Sequence, residues 1–318
     1  MRSLAVLLVV ASVVVAQSTH PLVEAARDRT DKLPVVEFTF GMKSERVASE
    51  PAESAGNRLV FGDNSARVDL RHPLTGFVGT LPIPFHWIAA TNGERVKEIS
   101  ISRDPRDPLN REGKISSATE GVCRDLLYTP LTLAARGLDP VHCPVPADRL
   151  AFTGTRTDID GVSCNEYRGS ANGLPVFVWC DPASGHTLRR FRQTDARGAV
   201  LMTIDVKASA DNPAGVWLPM AYTVEEYDDR GEKWRSRVVT VERVTTGQEY
   251  PPSEFDPHLP LGLLVEDQTT RDTYIAEGDG SLRHTHGLGG PRSWWLTRNW
   301  WAGVLMAAAV LAGGWMVL

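Results

Sequence analysis

The sequence predicts a mainly β fold of the α+β kind: one long antiparallel sheet over 35–270, interrupted by a helical insert at about 116–136. Two observations predict it. Apolar and polar residues alternate with a period of two through most of the stretch from Leu150 to Val244, and again from Arg58 to Ile101, as half-buried strands require. Compact turn signals separate the runs, among them Thr91-Asn92-Gly93-Glu94, Asp160-Gly161, Asp195-Ala196-Arg197-Gly198 and Asp228-Asp229-Arg230-Gly231. With 318 residues, 42% of them hydrophobic and 23% charged, the chain is long enough to bury a sizeable core. A formal charge of -5 and the lack of any Lys/Arg run argue against a nucleic-acid partner.

The two ends read differently. Arg2 precedes an apolar run, Leu4 to Val15, that is too short to span a membrane comfortably, and small residues lead up to Ala16. Residues 1–16 are therefore expected to be a signal peptide, with the mature chain starting at Gln17. At the other end, 300–318 is uncharged and apolar, and as a helix it would span roughly 28 Å. Trp294, Trp295, Trp300 and Trp301 cluster at its start and Trp315 near its end, as interfacial aromatics do. The expectation is a C-terminal transmembrane helix that holds an extracytoplasmic domain at a membrane, with 278–299 as a Gly-, His- and Arg-rich linker. Gly287, Gly289, Gly290 and Ser293 also fit a removable lipid-anchor signal, which leaves the domain on the same side.

Between the ends, residues from about His20 to Asp31 suit a helix. Val36, Phe38, Phe40 and Met42 then alternate with polar residues as one strand, and Ser49 to Gly56 reads as a polar loop. Leu59 and Phe61 turn through Gly62-Asp63-Asn64 into Ala66, Val68 and Leu70. Pro73 to Pro84 has neither period and reads as an apolar loop, before a strand with Phe85, Trp87 and Ala89 and its partner with Val96, Ile99 and Ile101. Asp104 to Gly113 reads as a surface loop. Leu126, Leu127, Leu131, Leu133 and Ala134 make the insert helical, with Gly137 ending it. The meander then runs from Phe152 to Val244, where Pro251, Pro252, Pro257 and Pro260 break it before Leu261 to Asp267.

Four cysteines in an exported chain predict two disulfides. If the hairpin over Ser170 to Gly173 is centred on Asn172, Cys164 faces Cys180, which leaves Cys123 for Cys143. A zinc site lacks the Cys/His spacing it needs.

Several dispersed residues carry a family resemblance: Asp160-Gly161-Val162; Val178-Trp179-Cys180-Asp181-Pro182 with Gly185; Trp217-Leu218-Pro219; Asp229-Arg230-Gly231; Phe255; Pro260-Leu261-Gly262; and Val265-Glu266-Asp267. In these the chain resembles the LolA-like superfamily of periplasmic lipoprotein carriers and anti-sigma-factor regulators over roughly 35–270. The resemblance implies that the sheet is an open, strongly curved half-barrel wrapped around helices, with an apolar cavity for acyl chains. The chain departs from the family's lipoprotein members in having no Cys at its mature start. What is implied is the cradle rather than lipoprotein transport.

No nucleophile elbow, P-loop or zinc-protease motif is present in the sequence, and no cofactor is expected. Asp181 with His186 would serve as an acid/base pair or simply shape a turn; His284-Thr285-His286 would bind a metal or simply sit in the linker. Arg189, Arg190 and Arg192 would meet anionic head groups or solvate a strand edge. The apolar residues Phe77, Leu81, Ile83, Phe85 and Trp87, with Leu127 and Leu131 from the insert, are the expected lining of a ligand cavity, the alternative being plain core. Three functions fit: a non-enzymatic envelope protein binding a lipid or acylated ligand, a sensor or interaction module that meets an envelope protein partner, and a hydrolase with an unrecognised site.

Overall fold

The computed structural model describes residues 20–46, 52–75, 82–102, 111–123 and 125–285. The expected signal peptide, Phe77, Leu81, His286 and the apolar 300–318 lie outside them. Among the described residues no helix is long and apolar enough to cross a membrane.

Helix α1 (Pro21–Lys32) opens the described chain with proline in its first turn, where the missing N–H costs nothing, and buries Leu22 and Ala26. A first meander follows: β1 (Val36–Arg46), β2 (Ala52–Phe61), β3 (Ala66–Thr75), β4 (Pro82–Thr91), β5 (Arg95–Ser102) and β6 (Arg111–Ser117). The insert carries short 3₁₀ turns and α2 (Thr129–Arg136). A second meander comprises β7 (Ala151–Ile159), β8 (Val162–Ala171), β9 (Leu174–Asp181), β10 (Thr187–Thr194), β11 (Val200–Asp211), β12 (Trp217–Tyr227) and β13 (Lys233–Thr246). A crossing segment with the one-turn helix α3 (Pro252–Phe255) leads to β14 (Leu264–Asp267), β15 (Asp272–Ala276) and β16 (Leu282–His284).

All sixteen strands form one open sheet in the order β16-β15-β14-β6-β5-β4-β3-β2-β1-β13-β12-β11-β10-β9-β8-β7. Pairing of β1 with β13 joins the two meanders at the centre. Every neighbouring pair is antiparallel except β14 with β6, which run parallel because the crossing segment carries the chain the length of the sheet before it re-enters.

Burial requires this sheet to curve. A single core cluster contains Leu22 and Ala26 of α1, Leu131 and Ala135 of α2, and residues on all eleven strands that lie, in sheet order, from β5 (Val96) through β1 and β13 to β8 (Tyr167). Laid flat, those eleven strands would extend about 48 Å, whereas α1 is about 18 Å long and α2 about 12 Å. One core that joins two such short helices to eleven strands fits a sheet that wraps around them. Two buried arginines fasten the wrap. Arg136 of α2 donates to the carbonyls of Leu33 at 2.8 Å and of Gly62, in the β2–β3 turn, at 3.0 Å. Arg29 of α1 donates to the Gly185 carbonyl, in the β9–β10 turn, at 2.6 Å and to that of Leu133 in α2 at 3.4 Å. Desolvation holds the pKa of each guanidinium below its usual value, and backbone carbonyls accept from the Nη atoms of both. The fold is thus the mainly β, open half-barrel expected from the resemblance.

Element limits differ from the sequence reading in five places. Ala52 to Gly56 belongs to β2; β3 runs on to Thr75 and β4 starts at Pro82, shortening the expected apolar loop; and Arg111 already starts β6. The insert's Ser116 and Ser117 end β6, so its helix proper is Thr129–Arg136. Leu282–His284 pairs with β15 rather than lying in a linker. These segments are polar or proline-bearing and take strand conformation from neighbours that supply hydrogen bonds, not from their own alternation.

Candidate functional site

The register of the sheet arranges its concave face in rows. One row runs Ser44–Arg237–Val224–Ile204–Phe191–Val178–Tyr167 across β1, β13, β12, β11, β10, β9 and β8. From Val224 to Tyr167 every member is fully buried. The row on its α-helical side includes Met42, Val239, Tyr222 and Val206. The row nearer the rim reads Arg46–Arg235–Glu226–Met202–Gln193–Val176. On β12 and β13 the concave face therefore passes from a buried apolar interior to charged side chains within two residue steps along the strand.

Arg237 marks the change. It is 4% exposed, donates through Nη2 to Glu226 Oε1 at 2.8 Å and lies 3.6 Å from Asp125 Oδ2. Asp125 belongs to the insert, where its other oxygen accepts from the Leu127 N–H at 2.9 Å. The insert is therefore tied electrostatically to the sheet at this point. The Arg237 Nε and the Tyr222 hydroxyl are both buried without a hydrogen-bond partner. Burial pushes the Tyr222 hydroxyl pKa far above its usual value, with Arg237 opposing the rise and Asp125 adding to it. Burial, and then repulsion from Arg237, holds the Arg235 guanidinium below its usual pKa although Glu226 opposes this. Arg46 and Arg235 stack on Trp234 at 5.9 and 5.7 Å from its ring centroid.

The expected lining is brought together in part. Leu127 and Leu131 lie fully inside the main core, and half-buried Trp87 packs against it opposite Leu70. Ile83 and Phe85 occupy β4 positions of the same parity as Trp87, paired with Leu74 and His72. Arg237, Tyr222 and Glu226 were not singled out by the sequence reading. The available signal was the in-face parity of Arg237 with Val239 and Val241, which makes a charge fall where a hydrophobe is due.

The cysteine hairpin is shifted by one residue from expectation. Asn172 and Gly173, at φ 53° and 77°, form a two-residue turn, so Asn165 rather than Cys164 lies opposite Cys180. A one-residue shift moves a side chain to the other face. Cys180 faces the main core, whereas Cys164 packs with Ile159 and Trp179 in a separate cluster. The expected direct opposition of these two is thus corrected, and all four cysteines are unbonded. Cys123 and Cys143 share the main core. Burial pushes the Cys143 and Cys180 thiols up to about 12 and Cys164 up to about 11, far from the thiolate a nucleophile needs.

The other candidate residues have local partners. Asp181 accepts from the Ala183 N–H at 2.9 Å, the Ser184 hydroxyl at 2.8 Å and Arg189 at 3.1 Å, while His186 Nδ1 meets the Tyr167 hydroxyl at 3.2 Å. Asp181 shapes the turn, and its hydrogen bonds go to Ala183, Ser184 and Arg189 while that of His186 goes to Tyr167, so the two do not form a hydrogen-bonded dyad. Arg190 pairs with Asp205, and Arg192 lies 5.6 Å from the Trp179 ring centroid. His284 packs edge-on against Tyr274 and lies 3.4 Å from Asp272.

No family model and no curated protein matches the chain. Solved structures of similar fold include a DUF1329 family protein from Desulfovibrio piger, at 10% identity and a TM-score of 0.48, covering 74% of this chain and 98% of that one. A putative outer membrane lipoprotein-sorting protein domain from Vibrio parahaemolyticus is similar at 13% identity and a TM-score of 0.47, covering 74% and 95%. A LolA superfamily protein from Nitrosomonas europaea is similar at 11% identity and a TM-score of 0.44, again covering 74% and 95%.

Proposed function

We propose that this is a non-enzymatic cell-envelope protein whose extracytoplasmic half-barrel binds a lipid or acylated ligand on its concave face, held at a membrane by 300–318. The observation that carries the reading is the run of registered apolar rows on the concave face, in one core with α1 and α2, to which buried Leu70 and half-buried Trp87 belong on β3 and β4. A long apolar chain would extend a core the sheet already provides, and each buried methylene would contribute roughly 0.8 kcal/mol. The β4 positions of Ile83 and Phe85 fit the same lining, and Phe77 and Leu81, outside the described residues, are proposed with them. Cys123 and Cys143, both in the core, fit a disulfide that would pin the insert over the ligand.

The test is solvent extraction of the purified full-length chain followed by mass spectrometry. A stoichiometric acyl lipid that is lost from a Trp87→Asp variant retaining its circular-dichroism spectrum is the expected result. An empty wild-type chain that also takes up no acyl probe would overturn the reading.

A further inference from the structure

The rim cluster points to what the polar end of such a ligand is, an inference that rests on the lipid reading above. Arg237 occupies a position in a row that is otherwise apolar from Val224 onward, and a buried guanidinium is costly unless its donors are used. Glu226 uses one of its nitrogens at 2.8 Å. Asp125, at 3.6 Å and with half of its side chain exposed, stands beyond hydrogen-bond length and is readily replaced. The Arg237 Nε is left over, as is the Tyr222 hydroxyl one row further in. Glu226 Oε2 is also buried without a hydrogen bond, though it lies 3.4 Å from the Arg235 Nε.

The charges in the cluster do not balance. Among the described residues, Arg46, Arg235 and Arg237 face Glu226 and Asp125, which is one positive charge more than the negative charges of the group. A singly charged carboxylate supplies the missing charge, and its two oxygens match the guanidinium fork. The apolar wall at Leu70 and Trp87 lies three and four strands from β13 and, by register, about four residues along the strands from Arg237, which puts it on the order of 19 to 23 Å from Arg237 measured on a flat sheet. An extended long acyl chain covers that span.

We propose that Arg237, with Tyr222 and Arg235, receives the carboxylate head of an acyl ligand whose chain lies over Leu70 and Trp87, the head displacing Asp125 from Arg237. Binding would thereby loosen the insert's electrostatic tie to the sheet.

Membranes holding the full-length chain, irradiated with a photoactivatable palmitic acid or with the matching palmityl alcohol, provide the test. Labelling of peptides containing Leu70 and Trp87 is read by mass spectrometry. The acid should label about tenfold more than the alcohol, the lower end of what a hydrogen bond to a charged group contributes. Arg237→Gln should abolish that preference, and Tyr222→Phe should reduce it, with labelling by the alcohol kept in both. Tyr222→Phe removes an oxygen that has no partner, so it folds even where Arg237→Gln does not. Equal labelling by both probes in the wild type, or an acid preference unchanged in Tyr222→Phe, overturns the head-group site and leaves the lipid reading standing. If neither probe labels these peptides, both fail.

Discussion

Glu37 shows how a single charged residue on the convex face depends on three separate parts of the chain. Its side chain, at the start of β1, is buried beneath the crossing segment. The Tyr250 hydroxyl donates to Oε2 at 2.6 Å, Arg58 Nη2 donates to the same oxygen at 2.7 Å, and Arg58 Nη1 reaches on to Glu254 at 2.6 Å. Burial by itself would raise the carboxyl's pKa, but the hydrogen bonds from Arg58 and Tyr250 and the charge of Arg58 outweigh it, and the net position is below the usual value. Because the folded pKa is below the unfolded one, ionised Glu37 stabilises the fold above the unfolded value of about 4.3. That contribution is lost as pH falls through the depressed folded value. Glu37→Gln is therefore expected to lower stability at neutral pH and to flatten the acid limb of the stability curve below about pH 4.3, as read by urea unfolding at a series of pH values. Parallel acid limbs for the two proteins would show that Glu37 is not the titrating group.

At the scale of elements, the insert is placed by Gly121. Its backbone, at φ 64° and ψ 162°, lies in a region essentially reserved for glycine, and a Cβ there would sit 1.9 Å from the Val141 carbonyl oxygen. This close approach brings the segment after β6 against the loop that carries Cys143, and so sets where Asp125 meets Arg237. Gly121→Ala should cost about 3 kcal/mol in urea unfolding, from strain and steric overlap together. A loss under about 0.5 kcal/mol, typical of an indifferent surface change, would mean that the insert is not positioned there. Nothing in the sequence around Gly121 announces this role, because Val141 is brought near only by the tertiary fold. The strands were legible where burial enforces alternation, as in Val36, Phe38 and Phe40. They were not legible in Arg111–Ser117, a polar strand whose hydrogen bonds come from β5 and from distant β14. The same limit hid the site: Asn172-Gly173 announced a hairpin, but not which of two registers it would set, and that choice separates Cys164 from Cys180. Arg237 was visible as a charge in an apolar alternation, whereas its partners Glu226 and Asp125 come from β12 and the insert and needed the fold to find them.

Across the whole molecule, the core is divided unequally. The main cluster joins both helices to the strands from β5 through β1 and β13 to β8, while Ile99, Ile115, Leu259, Leu263, Val265 and Ala276 form a small separate cluster under the crossing segment. That small cluster is what holds β14, β15 and β16, strands of three to five residues at the edge of the sheet. Elements with few buried apolar partners open at lower free energy than the core they flank. Amide hydrogen exchange should therefore show β14 to β16 exchanging at least about tenfold faster than β1, β12 and β13, through local opening rather than global unfolding. The Arg58–Glu254 and Lys97–Asp256 pairs, at 2.6 Å each, set where that opening stops, because they fasten the start of the crossing segment to the convex face. The concave rows through Arg237 lie on β8 to β13 and β1, beyond that boundary, so disturbance where the chain leaves β16 toward 286–318 would not reach them. Uniform protection from β1 to β16 would contradict this division and would mean that the terminal strands and the ligand face unfold as one unit.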